Sequence, residues 1–202
     1  MDTDADTATA VRRRWDVRAF DLFAPLYDLA MPPTDTTTVR KGLACADREV
    51  ERLVEVGGGS GRVAREVDAT VVDPADGMLR RARAKGLETV RGVADSLPLS
   101  DESVDAVLIA DALHHFPDRT AALSEAARVL APGGVVVVME FDRGTRRGEL
   151  LAAAETVFGF DSAFYTAAEL ESAIGAAGLD PRPIEYGFSM AIAGVKTRRG
   201  HT

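Results

Sequence analysis

Lysine is nearly missing from this chain. Only Lys41, Lys85 and Lys196 occur among 24 basic residues, which face 32 acidic ones, and the formal net charge is -8 over 202 residues. That balance repels phosphate backbones and anionic membrane surfaces, so nucleic acid is not expected as a partner. A lysine-poor surface rich in aspartate would suit a high-salt cytoplasm. Cysteine is scarcer still: Cys45 stands alone, which excludes an internal disulfide and a multi-cysteine metal site. No metal centre is expected. No apolar run is long enough to cross a bilayer, and the opening MDTDADTATA is acidic and lacks the apolar stretch of a secretory leader. These absences predict a cytoplasmic protein without stable membrane insertion. They leave its oligomeric state open.

What is present is a chain of 46% hydrophobic residues without repeats or composition breaks, enough for one substantial core. Short β-rich runs at about 52–56, 70–72, 88–91, 104–110 and 135–140 alternate with helical periods near 61–66, 78–85 and 121–130. That alternation implies parallel β-α-β units with helices on both faces of one sheet. Farther on, YTAAELESAIGAAGL reads as a helix with Thr166 as N-cap and Glu169 as its capping-box partner, closed by Gly178. RPIEYGFSMAIAGVKT then reads as two strands around a tight turn. The predicted fold is α/β, a doubly wound, mostly parallel seven-stranded sheet with an antiparallel edge strand. The expected organisation is a tail over 1–9, an N-terminal helical lid segment over 10–45, a ligand-binding domain over 46–198 and a tail over 199–202.

The chemistry concentrates where the first strand passes into the first helix, at Glu55-Val56-Gly57-Gly58-Gly59-Ser60-Gly61. Glycine there permits left-handed turns and close approach of main chain to a ligand. The G-x-G-x-G pattern lacks the two-residue gap of the dinucleotide fingerprint, so a nucleoside without a pyrophosphate fits it better. Asp73, at the carboxyl end of the second strand, is placed to accept both hydroxyls of a ribose. The other reading of Asp73, an N-cap for the following helix, suits Asp76 better. Asp95 and Ser96, between the third and fourth strands, are placed for an adenine amino group or for a solvated loop.

In order and without a break, LVEVGGGSG, VVDPADGMLRRAR, VADSLPLSDESVDAVLIADALHHF and EAARVLAPGGVVVVMEF resemble the motifs of class I S-adenosylmethionine-dependent methyltransferases, in particular the small-molecule type 11 branch. The resemblance covers Leu53 to Phe141. It implies S-adenosyl-L-methionine as cofactor, a methyl transfer reaction and a small-molecule acceptor. Carried over residue by residue, it implies that Gly57, Gly59 and Gly61 surround the methionine part, with Glu55, Gly58, Ser60, Pro74 and Ala94 as further cofactor-binding residues. Asp73 would hold the ribose, Met78 would pack on the adenine, and Asp95 with Ser96 would bind or flank the adenine edge. Ala110 would touch the cofactor at the end of the fourth strand. The sequence departs from the pattern at Ala75, where relatives often carry a serine or threonine cap, and in the short stretch between the first glycine and Asp73.

Methyl transfer needs a protein base only when the acceptor must lose a proton. His114 and His115, after the fourth strand, and Tyr27 with Asp28 in the N-terminal segment are the candidates for that role; the histidines, which titrate near neutral pH, are also candidates for lining the acceptor pocket. The alternative is that one caps a helix and the other fills a pocket wall. In the N-terminal segment, FDLFAPLYDLAMPP resembles the entry helix of quinone and phospholipid methyltransferases, which implies acceptor contacts from Phe20, Phe23, Tyr27 and Asp28. A quinone or other lipid-type C-methyltransferase is therefore an alternative, although the phenylalanine-glycine-leucine-arginine-asparagine signature of that group is replaced here by Asp111-Ala112-Leu113-His114-His115. Outside the methyltransferases, an NAD-dependent oxidoreductase and a non-catalytic cofactor-binding protein remain as readings of the same loop.

Overall fold

The alternating runs fold, in the computed structural model, which describes residues 36–157 and 163–198, as α1 (Thr36–Leu43), β1 (Leu53–Val56), α2 (Ala64–Val67), β2 (Thr70–Asp73), α3 (Asp76–Ala84), β3 (Thr89–Arg91), β4 (Val104–Ala110), a 3₁₀ turn (Leu113–His115), α4 (Arg119–Val129), β5 (Leu130–Phe141), α5 (Arg146–Val157), α6 (Ala167–Ala176), β6 (Asp180–Glu185) and β7 (Ser189–Val195). The strands form one sheet in the order β3-β2-β1-β4-β5-β7-β6. β1 to β5 run parallel, and β7 pairs antiparallel with both β5 and β6. The antiparallel strand thus lies one place in from the edge, with β6 outermost.

Each inner strand is buried on both faces, which is why β4 reads VDAVLIA instead of alternating with polar residues. Val54, Val56, Val107, Ile109, Val136 and Val138 face one side and pack with Leu123 and Ala126 of α4 and Leu170 and Ile174 of α6. Leu53, Val71, Ala106, Leu108, Val135 and Val137 face the other side, against Val39 of α1, Ala64 of α2, and Leu79 and Ala82 of α3. Truncating a fully buried residue such as Leu108 to alanine would cost about 2–5 kcal/mol.

Two helices were not apparent from the sequence. α1, TTTVRKGL, carries few apolar residues, yet Val39 is fully buried on the sheet; the end of the expected lid segment therefore packs on the sheet face. α5 lies between β5 and α6. Helix ends follow local chemistry. Asp118 caps α4 by accepting from the Ala121 amide at 2.8 Å. The expected capping box is present on α6, with Thr166 and Glu169 exchanging main-chain bonds of 2.8 and 3.3 Å. Asp76, by contrast, does not cap α3: the cap position belongs to Ala75, which offers no side-chain acceptor, and Asp76 is the first helical residue. Its charge there favours the helix dipole without closing a cap bond.

β1 leads through α2 to β2 on one side, while β4 lies on the other. The carboxyl ends of β1 and β4 therefore diverge at a topological switch point, the place where open α/β sheets form ligand crevices.

Candidate active site

A cleft opens at this switch point, and the glycine loop forms its floor. Gly57 and Gly59 hold positive φ, +73° and +54°. A Cβ on Gly57 would lie 2.8 Å from the Ala112 Cβ and 3.0 Å from the Phe116 ring, so any larger residue would fill the space between the loop and the 3₁₀ turn. These conformations also delay the helix expected from residue 61, which begins only at Ala64. Glu55 stabilises the turn from beneath: its Oε2 accepts from the Ala64 amide at 2.7 Å. A Cβ on Gly58 would sit 2.9 Å from that same oxygen. Ser60 is buried, and the Lys85 ammonium donates to its carbonyl at 3.0 Å and its Oγ at 3.2 Å.

Asp73 connects the loop to the second wall. Its Oδ2 accepts from the Gly59 amide at 3.0 Å and its Oδ1 from the Ala75 amide at 2.8 Å. Both oxygens thereby fix main chain at the cleft edge. Pro74, Met78, Ala94, Asp95 and Ala110, carried over above as cofactor contacts, line the cleft. Gly61 and Ser96 do not. A Cβ on Gly61 would run into Leu87 and Val71, so this glycine allows close packing of the loop against the core. Ser96 turns back to pair with Val93.

The electrostatics are lopsided. Glu55, Asp73, Asp95 and Asp111 line the cleft, and Arg62 is its one lysine or arginine among the described residues. Burial raises the Glu55 carboxyl to about 8, against the opposing pull of its Ala64 hydrogen bond. Burial also raises Asp111, with Glu140 adding to the effect. The aspartates make the lining complementary to a cation, while Glu55, raised to about 8, is mostly protonated near neutral pH and adds a hydrogen-bonding group instead of a full charge.

The two histidines part company. His115 lines the cleft, whereas His114 is packed behind the wall, with its side chain 4% exposed. His114 Nδ1 is 2.7 Å from Glu140 Oε2, and its ring stacks on Phe164 with centroids 4.4 Å apart. The near-neutral titration expected of both does not hold for His115: burial, then the adjacent His114, lowers it to about 3. Neither histidine caps α4, since Asp118 does. Phe20, Phe23, Tyr27 and Asp28 lie outside the described residues. Arg62, Asp111, Glu140 and Phe164 were missed from sequence. The first three had a signal, as each sits at or just beyond the carboxyl end of an inner strand or its loop; Phe164 had none.

A family model described as a methyltransferase domain matches residues 54–138. A solved structure from Thermotoga maritima, described as an S-adenosylmethionine-dependent methyltransferase and possible histamine N-methyltransferase, superposes with a TM-score of 0.76 at 25% identity, covering 91% of this chain and 99% of that one. A malonyl-[acyl-carrier protein] O-methyltransferase of Methylococcus capsulatus is 30% identical over 210 residues, covering 94% of this chain and 76% of the relative. The chain belongs to the S-adenosylmethionine-dependent methyltransferases. Within this family it is also similar to an uncharacterized methyltransferase of Mycobacterium tuberculosis, 41% identical over 104 residues. That match covers 48% of this chain and spans only 42% of the relative's own length. The methyltransferase cleft fits the family's cofactor on two observations: a cradle that a Cβ at Gly57 would fill, and an acidic lining suited to a sulfonium and an ammonium.

Proposed function

We propose that this chain transfers the methyl group of S-adenosylmethionine to a small-molecule acceptor. The observation that carries the reading is Asp73, which joins the glycine loop to the second cleft wall with both carboxylate oxygens at the switch point. The Gly57–Gly59 main chain holds the methionine part, Asp73 the ribose, and Met78 with Asp95 the adenine. When bound, the cofactor supplies a methyl group on a sulfonium, already activated toward a nucleophile. The protein's task is then to align the acceptor and exclude water. His115 does this as a neutral imidazole: a group lowered to about 3 stays uncharged through the physiological range and is a weak base. Glu140 orients His114, and His114 with Phe164 backs the wall that carries His115.

The net charge of -8 supports a small molecule over a nucleic acid as acceptor. The relatives named above are described by an oxygen acceptor in one case and a nitrogen acceptor in another, so the acceptor atom is a property to be found by experiment. Calorimetric titration with S-adenosylhomocysteine and with NADH tests the cofactor: binding of NADH in preference to S-adenosylhomocysteine refutes the reading. A screen of labelled methyl transfer over a metabolite library tests the acceptor. Binding of the cofactor with no transfer to any acceptor would favour a non-catalytic cofactor-binding protein.

A further inference from the structure

Two side chains divide between them one hydrogen bond that the glycine loop gives up. If α2 ran on backward from Ala64, the Ala64 amide would donate to the Ser60 carbonyl four residues earlier. Each group instead takes a side chain: the Ala64 amide donates to Glu55 Oε2 at 2.7 Å, and the Ser60 carbonyl accepts from the Lys85 ammonium at 3.0 Å. The next bond of the helical series, from the Arg65 amide to the Gly61 carbonyl, is present at 3.2 Å. The division therefore falls where the helix would otherwise grow into the loop, and it leaves Gly57, Gly58, Gly59 and Ser60 in the cleft lining. The turn does not lock this arrangement by itself. Gly61 sits at φ +73°, and glycine adopts negative φ about as readily.

Lys85 is held in place by the end of α3. It is the C-cap residue of that helix, its amide donates to the Arg81 and Ala82 carbonyls at 3.2 and 3.0 Å, and Gly86 turns the chain away at φ +85°. Two residues on, Leu87 occupies the space that a Cβ on Gly61 would need. The turn from α3 to β3 thus backs the loop through one apolar and one charged contact. Ser60 is 1% exposed, and a buried carbonyl that gives up its helical partner needs another. A lysine suits the task, because its compact ammonium carries three donors and directs two of them at the Ser60 carbonyl and Oγ. Lys196, another of the three lysines, likewise donates to main-chain carbonyls, those of Ala127 and Leu130. We propose that Lys85 is a positioning residue for the cofactor loop: its ammonium keeps the Ser60 carbonyl turned away from α2, and so keeps the loop from winding into the helix and closing the cradle. This assignment rests on the cofactor reading and deepens it. Cofactor affinity scales with the fraction of molecules whose loop is open, and Lys85 raises that fraction.

The test pairs nuclear magnetic resonance of the free protein with calorimetry against S-adenosylhomocysteine. The proteins are wild type, Lys85→Met, Lys85→Arg and Arg83→Met, each checked by circular dichroism and thermal melting. Arg83 is an exposed residue of the same helix and controls for the lost charge. In free Lys85→Met the Cα resonances of Ser60 and Gly61 should move toward helical values and the Ala64 amide should shift, while the amides of β4 stay in place. Its affinity for S-adenosylhomocysteine should fall about 10- to 100-fold, the loss of open-loop population when a hydrogen bond to a charged group is removed. Lys85→Arg should recover part of both changes, and Arg83→Met should bind within about twofold of wild type. Unchanged affinity in Lys85→Met, an equal loss in Arg83→Met, or loop resonances that stay at their wild-type positions would each overturn the positioning role. If Lys85→Met fails to fold, Lys85→Gln, shorter and uncharged, is held to the same criteria. A wild type that does not bind S-adenosylhomocysteine overturns the cofactor reading and the role of Lys85 together; equal binding by wild type and Lys85→Met overturns the role of Lys85 alone.

Discussion

Asp73 offers the sharpest test of the site, because the loop-fixing role its carboxylate has and the ribose-holding role proposed for it can be separated. In the free protein it accepts from the Gly59 and Ala75 amides at 3.0 and 2.8 Å. A carboxylate has about four acceptor positions, so accepting two amides is compatible with accepting ribose hydroxyls as well. Asp73→Ala removes all of these bonds. Hydrogen bonds to a charged group contribute about 1.5–3 kcal/mol, so S-adenosylhomocysteine affinity should fall by about 10- to 150-fold. The two orphaned amides at the cleft edge should also lower stability, by about 1–3 kcal/mol. A urea titration reads the second effect and calorimetry the first. To distinguish loss of the ribose contact from a disordered loop, the same titrations are repeated with the 2′-deoxy analogue of S-adenosylhomocysteine. It should bind wild type more weakly than the parent, and the difference should largely vanish in Asp73→Ala. A 2′-deoxy penalty of equal size in both proteins would refute the ribose assignment, even if the variant bound everything more weakly.

Gly57→Val places a branched side chain at φ +73°, against Ala112 and Phe116; cofactor binding should be lost while the circular dichroism spectrum is retained, and normal binding would place the cradle elsewhere. His115 is lowered to about 3, so its protonation lies below the assay range and turnover should be flat with respect to this group above about pH 5. His115→Gln should then cost less than about tenfold in turnover, and a loss of about 10²–10⁴-fold together with a vanished near-neutral pH limb would establish it as a general base instead. Asp105, buried, is held at about 2 chiefly by the Arg52 guanidinium, with further help from the Arg52 and Glu51 amides and Arg48. Its folded value is depressed, so its stabilisation is present above the unfolded value near 4 and is lost as pH falls through about 2; after screening at the half-exposed Arg52, Asp105→Asn should cost about 1–2 kcal/mol at pH 7 and flatten the acid limb of stability, as read by urea titration from pH 2 to 7.

Much of this molecule is legible in its sequence because its inner strands are covered on both sides. Runs such as VLIA in β4 and VVVV in β5 have no polar face to show, and the glycine loop between β1 and α2 can serve few purposes other than a close main-chain approach. α1 escaped notice for the opposite reason: its burial rests on Val39, on the polar Thr38 and on Gly42, whose close contact with Val137 leaves no trace in a hydrophobic pattern. β5 begins five residues before the expected 135 because Leu130 pairs with Val104 across a register shift, a bulge that Gly133 and Gly134 accommodate but do not announce.

The charge pattern of the site was likewise half visible. Glu55, Asp73 and Asp95 carry positions in recognisable motifs, but nothing in the sequence says that Asp111 and Arg62, far apart in the chain, face each other. The adjacent histidines make the point most sharply. As sequence, His114 and His115 are equivalent candidates for the same proton. The 3₁₀ turn that contains them separates consecutive side chains by roughly 120°, so one is aimed at Glu140 and Phe164 in the interior and the other at the cleft. Burial does the rest, since the residue that faces the cleft is also the one whose charged form is penalised. On the proposed function, His115 then serves as a neutral wall of the cleft and not as its base.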